Sequence, residues 1–150
     1  MSDRETTLRV SRLRAEALHL MGIYGEVDFD TKDGTWLHIP NFPLPKGWNW
    51  NVVSILIDIP DGIPGYPSRA PEWFWTNKSL RTGDGQPIGH FFTNNANDAK
   101  YAADGWGHFC VHLNEWSPRS GANWTSGHSL VTYLNLIRMI FRDQQSLRSR

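Results

Sequence analysis

The sequence predicts a single α+β domain over residues 1–150. Three features predict it: a helical period at each end, a β-branched and aromatic block between them, and two irregular stretches rich in Pro, Gly and polar residues. With 39% hydrophobic and 20% charged residues, the chain has a globular composition and enough length to bury a core without staples.

Residues 1–21 are expected to hold the first helix. Leu8, Leu13, Ala17, Leu20 and Met21 fall near one face, with Arg and Glu between them. The sheet is expected over 22–75 as a four-stranded antiparallel meander. "GIYGEVDFD" (22–30) alternates loosely, "TKDG" (31–34) is a turn signal, and "TWLHIPNF" (35–42) reads as the returning strand. "PLPKG" breaks that strand. "WNWNVVSILIDIP" (48–60) is the strongest strand pattern, with Val53, Ile55, Ile57 and Ile59 against Ser54 and Asp58.

"DGIPGYPSRAPEWFW" (61–75) is dense in Pro, which lacks an N–H and fixes φ. It reads as an ordered, aromatic-packed connection ending in a short strand around Trp73 to Trp75. Residues 76–126 are assigned as the active-site region: a long polar segment, the strand-like "WGHFCVHL", and the turn-rich "NEWSPRSGANWTSG". The last helix is expected over 127–148. Its apolar face is Leu130, Leu134, Ile137 and Phe141, with Tyr133 and Ile140 beside it and Ser126 or Thr125 as cap.

Fifteen basic and fifteen acidic side chains cancel, so no broad electrostatic footprint for nucleic acid is expected. No apolar run approaches the ~18 residues of a membrane span. A single cysteine forms no internal disulfide, and the first twenty residues show no apolar h-region, so a reducing cytoplasm is the expected compartment.

In that compartment the thiol of Cys110 stays free, flanked by His108 and His112. Three readings compete: a buried core thiol, a metal ligand and a nucleophile. In a strand His108, Cys110 and His112 share a face at period two, but such neighbours rarely converge on one tetrahedral ion. No second ligand cluster accompanies them, so neither metal nor cofactor is expected. A Cys110–His112 hydrolase dyad suffers from the same spacing, ~6.6 Å along a strand, and would need His90 or His128 instead.

Two motifs shift the balance toward a nucleophile. "IPGYPSRAPEWFW" resembles the Tyr-Pro-x-x-Pro-Pro-x-Phe segment after the third strand of ubiquitin-conjugating enzymes. In "FCVHLNEWSP" a Trp-Ser-Pro follows Cys110 by six residues, much as it follows the active-site Cys of that family. Together with "IPNFPLPKGWN" and the terminal helix, the chain resembles the prokaryotic branch of this superfamily.

The resemblance implies a UBC-like fold with one long C-terminal helix, lacking the last two helices of the eukaryotic fold. It implies an enzyme carrying a ubiquitin-like protein as a thioester on Cys110 and passing it to an amine acceptor, in an antiphage defence setting. The implied partners are that ubiquitin-like protein, an activating enzyme, an acceptor protein and a JAB-type peptidase. The eukaryotic His-Pro-Asn triplet is absent. His112 is then the expected helper of Cys110, with His108, His90, Asn94, Asn95, Asn97, Asn114 and Trp116 as possible supporting groups. The alternative is a non-catalytic module of the same fold that scaffolds a ubiquitin-like protein or an activating enzyme.

Overall fold

The N-terminal period becomes a 22-residue helix, α1 (Asp3–Tyr24). The computed structural model describes residues 3–77, 79–81, 83–85, 91–92, 106–110 and 113–143, with backbone alone at 3, 91–92 and 108–110. The buried face of α1 is Val10, Leu13, Ala17, Leu20 and Tyr24, whose steps of three and four residues follow the helical repeat. Leu8 and Met21, expected on that face, are 59% and 47% exposed. The helix also runs past residue 21. It stops where Gly25, at φ 82°, turns its N–H back onto the Met21 carbonyl at 3.0 Å. The strand expected over 22–30 is therefore reduced to β1 (Asp28–Phe29).

The turn after β1 is built on Asp30. Its carboxylate accepts from the Lys32, Asp33 and Thr35 amides and from the Thr35 hydroxyl at 2.6 Å. Burial alone would raise this carboxyl, but those hydrogen bonds prevail and hold it at about 2 against its ordinary 3.8. β2 (Trp36–Pro43) then pairs with β3 (Val52–Asp58), which pairs with β4 (Trp73–Asn77).

The sheet does not end at β4 as a four-stranded meander. β6 (Trp106–Cys110) pairs with β4, and β5 (Phe91–Phe92) pairs with β6. The result is a six-stranded antiparallel sheet of order β1-β2-β3-β4-β6-β5. A register shift between Ile39 and Phe42 sets both side chains on the core face, although strict alternation would part them. The bulge spans Pro40 and Asn41, and Pro40 has no N–H to donate to a ladder.

A short 3-10 helix (Gly121–Ser126) leads to α2 (Leu130–Arg142). The α2 cap is Ser129, whose hydroxyl accepts from the Val131 amide (3.2 Å) while Thr132 Oγ1 accepts from the Ser129 amide (3.0 Å). Ser126, an expected cap, instead donates to the Asn123 carbonyl inside the 3-10 turn. Leu130, Tyr133, Leu134, Ile137 and Phe141 of α2 join α1 and one sheet face in a single hydrophobic cluster. Phe141 is central to it, with the Trp48, Phe74 and Phe42 rings 5.3, 6.1 and 6.3 Å away. Trp48 Nε1 donates to the Phe141 carbonyl at 2.9 Å, so the indole fills the core and also closes the end of α2. Among the described residues no helix is long and apolar enough to cross a membrane.

Candidate active site

Cys110 is the last residue of β6, and its register partner is Trp73, the first residue of β4. The cysteine backbone therefore stands at the sheet margin from which the Pro-rich connection enters β4. His108 lies two rungs in, opposite Trp75. Beside this margin is a polar hollow of about 210 Å³, bordered by Thr35, Asp58, Asp61, Arg69, Glu72 and Trp73. His112, His90, Asn94, Asn95 and Asn97 fall outside the described residues. Asn114 is described and is exposed in a bend.

The chain after Cys110 is fastened at several points. Leu113 packs against the core. Trp116 Nε1 donates to the Pro67 carbonyl at 2.8 Å, and its ring centroid is 6.2 Å from that of Tyr66. The two motifs that carry the resemblance, separated by some fifty residues of sequence, are thus in direct contact. Ser117 N–H donates to His128 Nδ1 (2.9 Å), His128 N–H donates to the Ser117 carbonyl (3.0 Å), and Pro118 forms a parallel bridge with His128. His128 uses Nδ1 as a structural acceptor, which removes that nitrogen from service as the base of a hydrolase dyad.

Beneath this strap is a buried polar cluster that sequence reasoning missed. Glu16, fully buried, accepts from Arg12 Nε (2.6 Å) and Tyr66 Oη (2.5 Å) on Oε2, and from the Leu130 N–H (2.7 Å) on Oε1. Arg12 also donates to the Arg119 carbonyl and to the His128 carbonyl (3.5 Å). Its guanidinium stands 5.3 Å from the Trp124 ring centroid and 5.9 Å from that of Tyr66. Burial, then the Glu16 charge and hydrogen bond, push the Tyr66 phenol well above its ordinary 10, so it remains a donor. Arg and Glu four residues apart on a helix usually mark a solvated face, which is why they drew no notice. The available signal was their position on the same side as Leu13, Ala17 and Leu20.

A groove of about 560 Å³ runs along the other side of the cluster, between α1 (Leu8, Arg12) and the loop of Pro64, Tyr66 and Pro67, with Trp124 at one end. No set of three His, Cys, Asp or Glu side chains placed to hold a metal occurs among the described residues.

Two helices on one face of an antiparallel sheet, with a Trp-Ser-Pro strap docked on a Tyr-Pro loop beside the strand-end cysteine, make an E2-type, ubiquitin-conjugating-like domain. The chain belongs to the Prokaryotic E2 family E, which it matches over residues 15–141. That membership supports an E2-like conjugating function. No curated protein and no solved structure matches the chain.

Proposed function

We propose that the protein carries a ubiquitin-like protein as a thioester on Cys110 and transfers it to an amine acceptor. The observation that supports this most is the meeting of the two motifs: Trp116 is hydrogen-bonded to Pro67 six residues downstream of a cysteine that closes β6. In the first step the Cys110 thiolate attacks the carbonyl carbon of a thioester presented by an activating enzyme. The tetrahedral oxyanion collapses and expels the donor thiolate, which takes up the proton that Cys110 released. In the second step an acceptor amine attacks the new thioester, loses a proton, and expels the Cys110 thiolate. Exchange between thioesters is nearly balanced, so Cys110 needs access and a fraction of thiolate, not extreme activation.

His112 is proposed to orient the amine or hydrogen-bond the thiol, with His108, His90, Asn94, Asn95, Asn114 and Trp116 in supporting places. The proposed partners are the ubiquitin-like protein, its activating enzyme docked by way of α1, an acceptor protein and a JAB-type peptidase, working in antiphage defence in the cytoplasm.

Incubation with the cognate activating enzyme, ATP and ubiquitin-like protein should yield an adduct that thiol reductant cleaves. Cys110→Ser should yield one that resists reductant and yields to hydroxylamine. Absence of any adduct from wild type with a partner set proven on another carrier sinks the reading. Full biological activity of Cys110→Ala would instead favour a non-catalytic scaffold, for which the α1 groove is the supporting feature.

A further inference from the structure

The stretch from Trp116 to Ser129 has little apolar burial to hold it. Its 3-10 helix buries no residue, and Ser117, Arg119 and Ser120 are exposed. Apart from Trp116, half-buried against the core, apolar burial is scarce here, so hydrogen bonds decide where the rest of this stretch stands. Three of those bonds run to two side chains of one helix. Arg12 holds the carbonyls of Arg119 and His128, one on each side of the 3-10 turn, and Glu16 holds the Leu130 amide where α2 begins. Glu16 also holds Tyr66, whose neighbour Pro67 receives the Trp116 indole.

We propose that Arg12 and Glu16 are positioning residues for the conjugation reaction: from α1 they fix the Trp116–Leu130 stretch, and with it the wall of the site downstream of Cys110. This rests on the reading of Cys110 as the acceptor thiol. Neither side chain touches the reacting atoms. Arg12 suits the task because its planar fork reaches Glu16 and two carbonyls at once, which an ammonium on a flexible stem does not reproduce. A carboxylate is needed at Glu16 because three donors meet there and an amide would present N–H to one of them.

The test compares Arg12→Lys and Glu16→Gln with a core variant, Ile137→Val or Leu134→Ala, chosen to lose the same denaturation midpoint. Amide exchange should accelerate across 113–130 in the two clamp variants while β3 stays protected; in the core variant any acceleration should be spread across the molecule. Cys110 alkylation by iodoacetamide, followed against pH, and thioester formation should each slow about 10-fold or more in the clamp variants and less than about 2-fold in the core variant.

Equal losses in clamp and core variants overturn the proposal, because Arg12 and Glu16 would then be general stabilisers. Faster exchange at 113–130 with unchanged Cys110 chemistry overturns it as well. A wild-type Cys110 inert to both alkylation and thioester formation sinks the underlying reading. A reactive wild type with indifferent clamp variants sinks only the positioning role.

Discussion

The two helices meet the rest of the molecule in different ways. α2 presents Leu130, Tyr133, Leu134, Ile137 and Phe141 to the sheet, a face of apolar side chains arranged around Phe141. α1 buries an apolar row too, but beside it are Arg12 and Glu16, bonded to the Tyr66 hydroxyl and to backbone groups of the strap and the α2 start. The α2 contact stabilises through area and tolerates small shifts, whereas the α1 seam stabilises only in one geometry. A molecule that holds irregular chain at a fixed place beside a candidate nucleophile has reason to use the second kind of contact there.

The contrast is broken most severely by removing one residue from each side. Phe141→Ala should cost about 3–5 kcal/mol in urea unfolding, through lost burial and the cavity left among Phe42, Trp48 and Phe74. Glu16→Ala should cost a similar amount, about 3–5 kcal/mol, because Arg12 is left charged and buried without its partner.

The double change Arg12→Met with Glu16→Leu then separates the two regions. It should recover only part of the Glu16→Ala loss: no charge is left unpaired, but the Tyr66 hydroxyl and the Leu130 amide still lack their acceptor, and conjugation stays impaired. No second substitution should recover Phe141→Ala in that way. A double variant as unstable as Glu16→Ala would show that the seam acts through more than its charge balance.

A smaller effect is expected at the start of α2. Ser129→Ala removes the cap hydroxyl and should cost about 1 kcal/mol. Because Glu16 still holds the Leu130 amide, the loss should double or more when Ser129→Ala is made in a Glu16→Gln background, measured as a thermodynamic cycle.

The smallest effect is the pH dependence at the β1–β2 turn. The Asp30 carboxyl is depressed to about 2 from 3.8, so its contribution is fully present above about 4 and fades as the pH falls toward 2. Asp30→Asn should flatten that part of the acid limb of a stability–pH curve. Solvent screening at this mostly exposed turn makes the change slight.

How far the sequence revealed these regions follows the same division. The α2 face, β3 and a helix on each side of the sheet segment in sequence were legible, because apolar periodicity reports burial by area. The place of Cys110 in a strand followed from the short apolar run "WGHFCVHL". Arg12 and Glu16 were illegible, since single-sequence periodicity treats a charge as a sign of solvent and their partners lie 50 to 116 residues away. The addition of β6 to β4 was equally hidden, because the pairing crosses a long polar segment whose pattern says nothing about which edge it returns to. The Ser129 cap was missed by three residues because Ser126 and Thr125 looked equivalent locally, and only the 3-10 turn distinguishes them.

The bulge in β2 has a consequence for the protein in a crowded cell. β1 covers β2 only at Leu37 and His38, leaving 39–43 without a strand neighbour on that side among the described residues. A bare strand margin is a template on which foreign chains assemble into aggregates. Here Pro40 and Pro43 supply no N–H, and the shifted register between Ile39 and Phe42 breaks the regular spacing an incoming strand would need. The same distortion that places Phe42 in the core makes this margin a poor seed for intermolecular pairing.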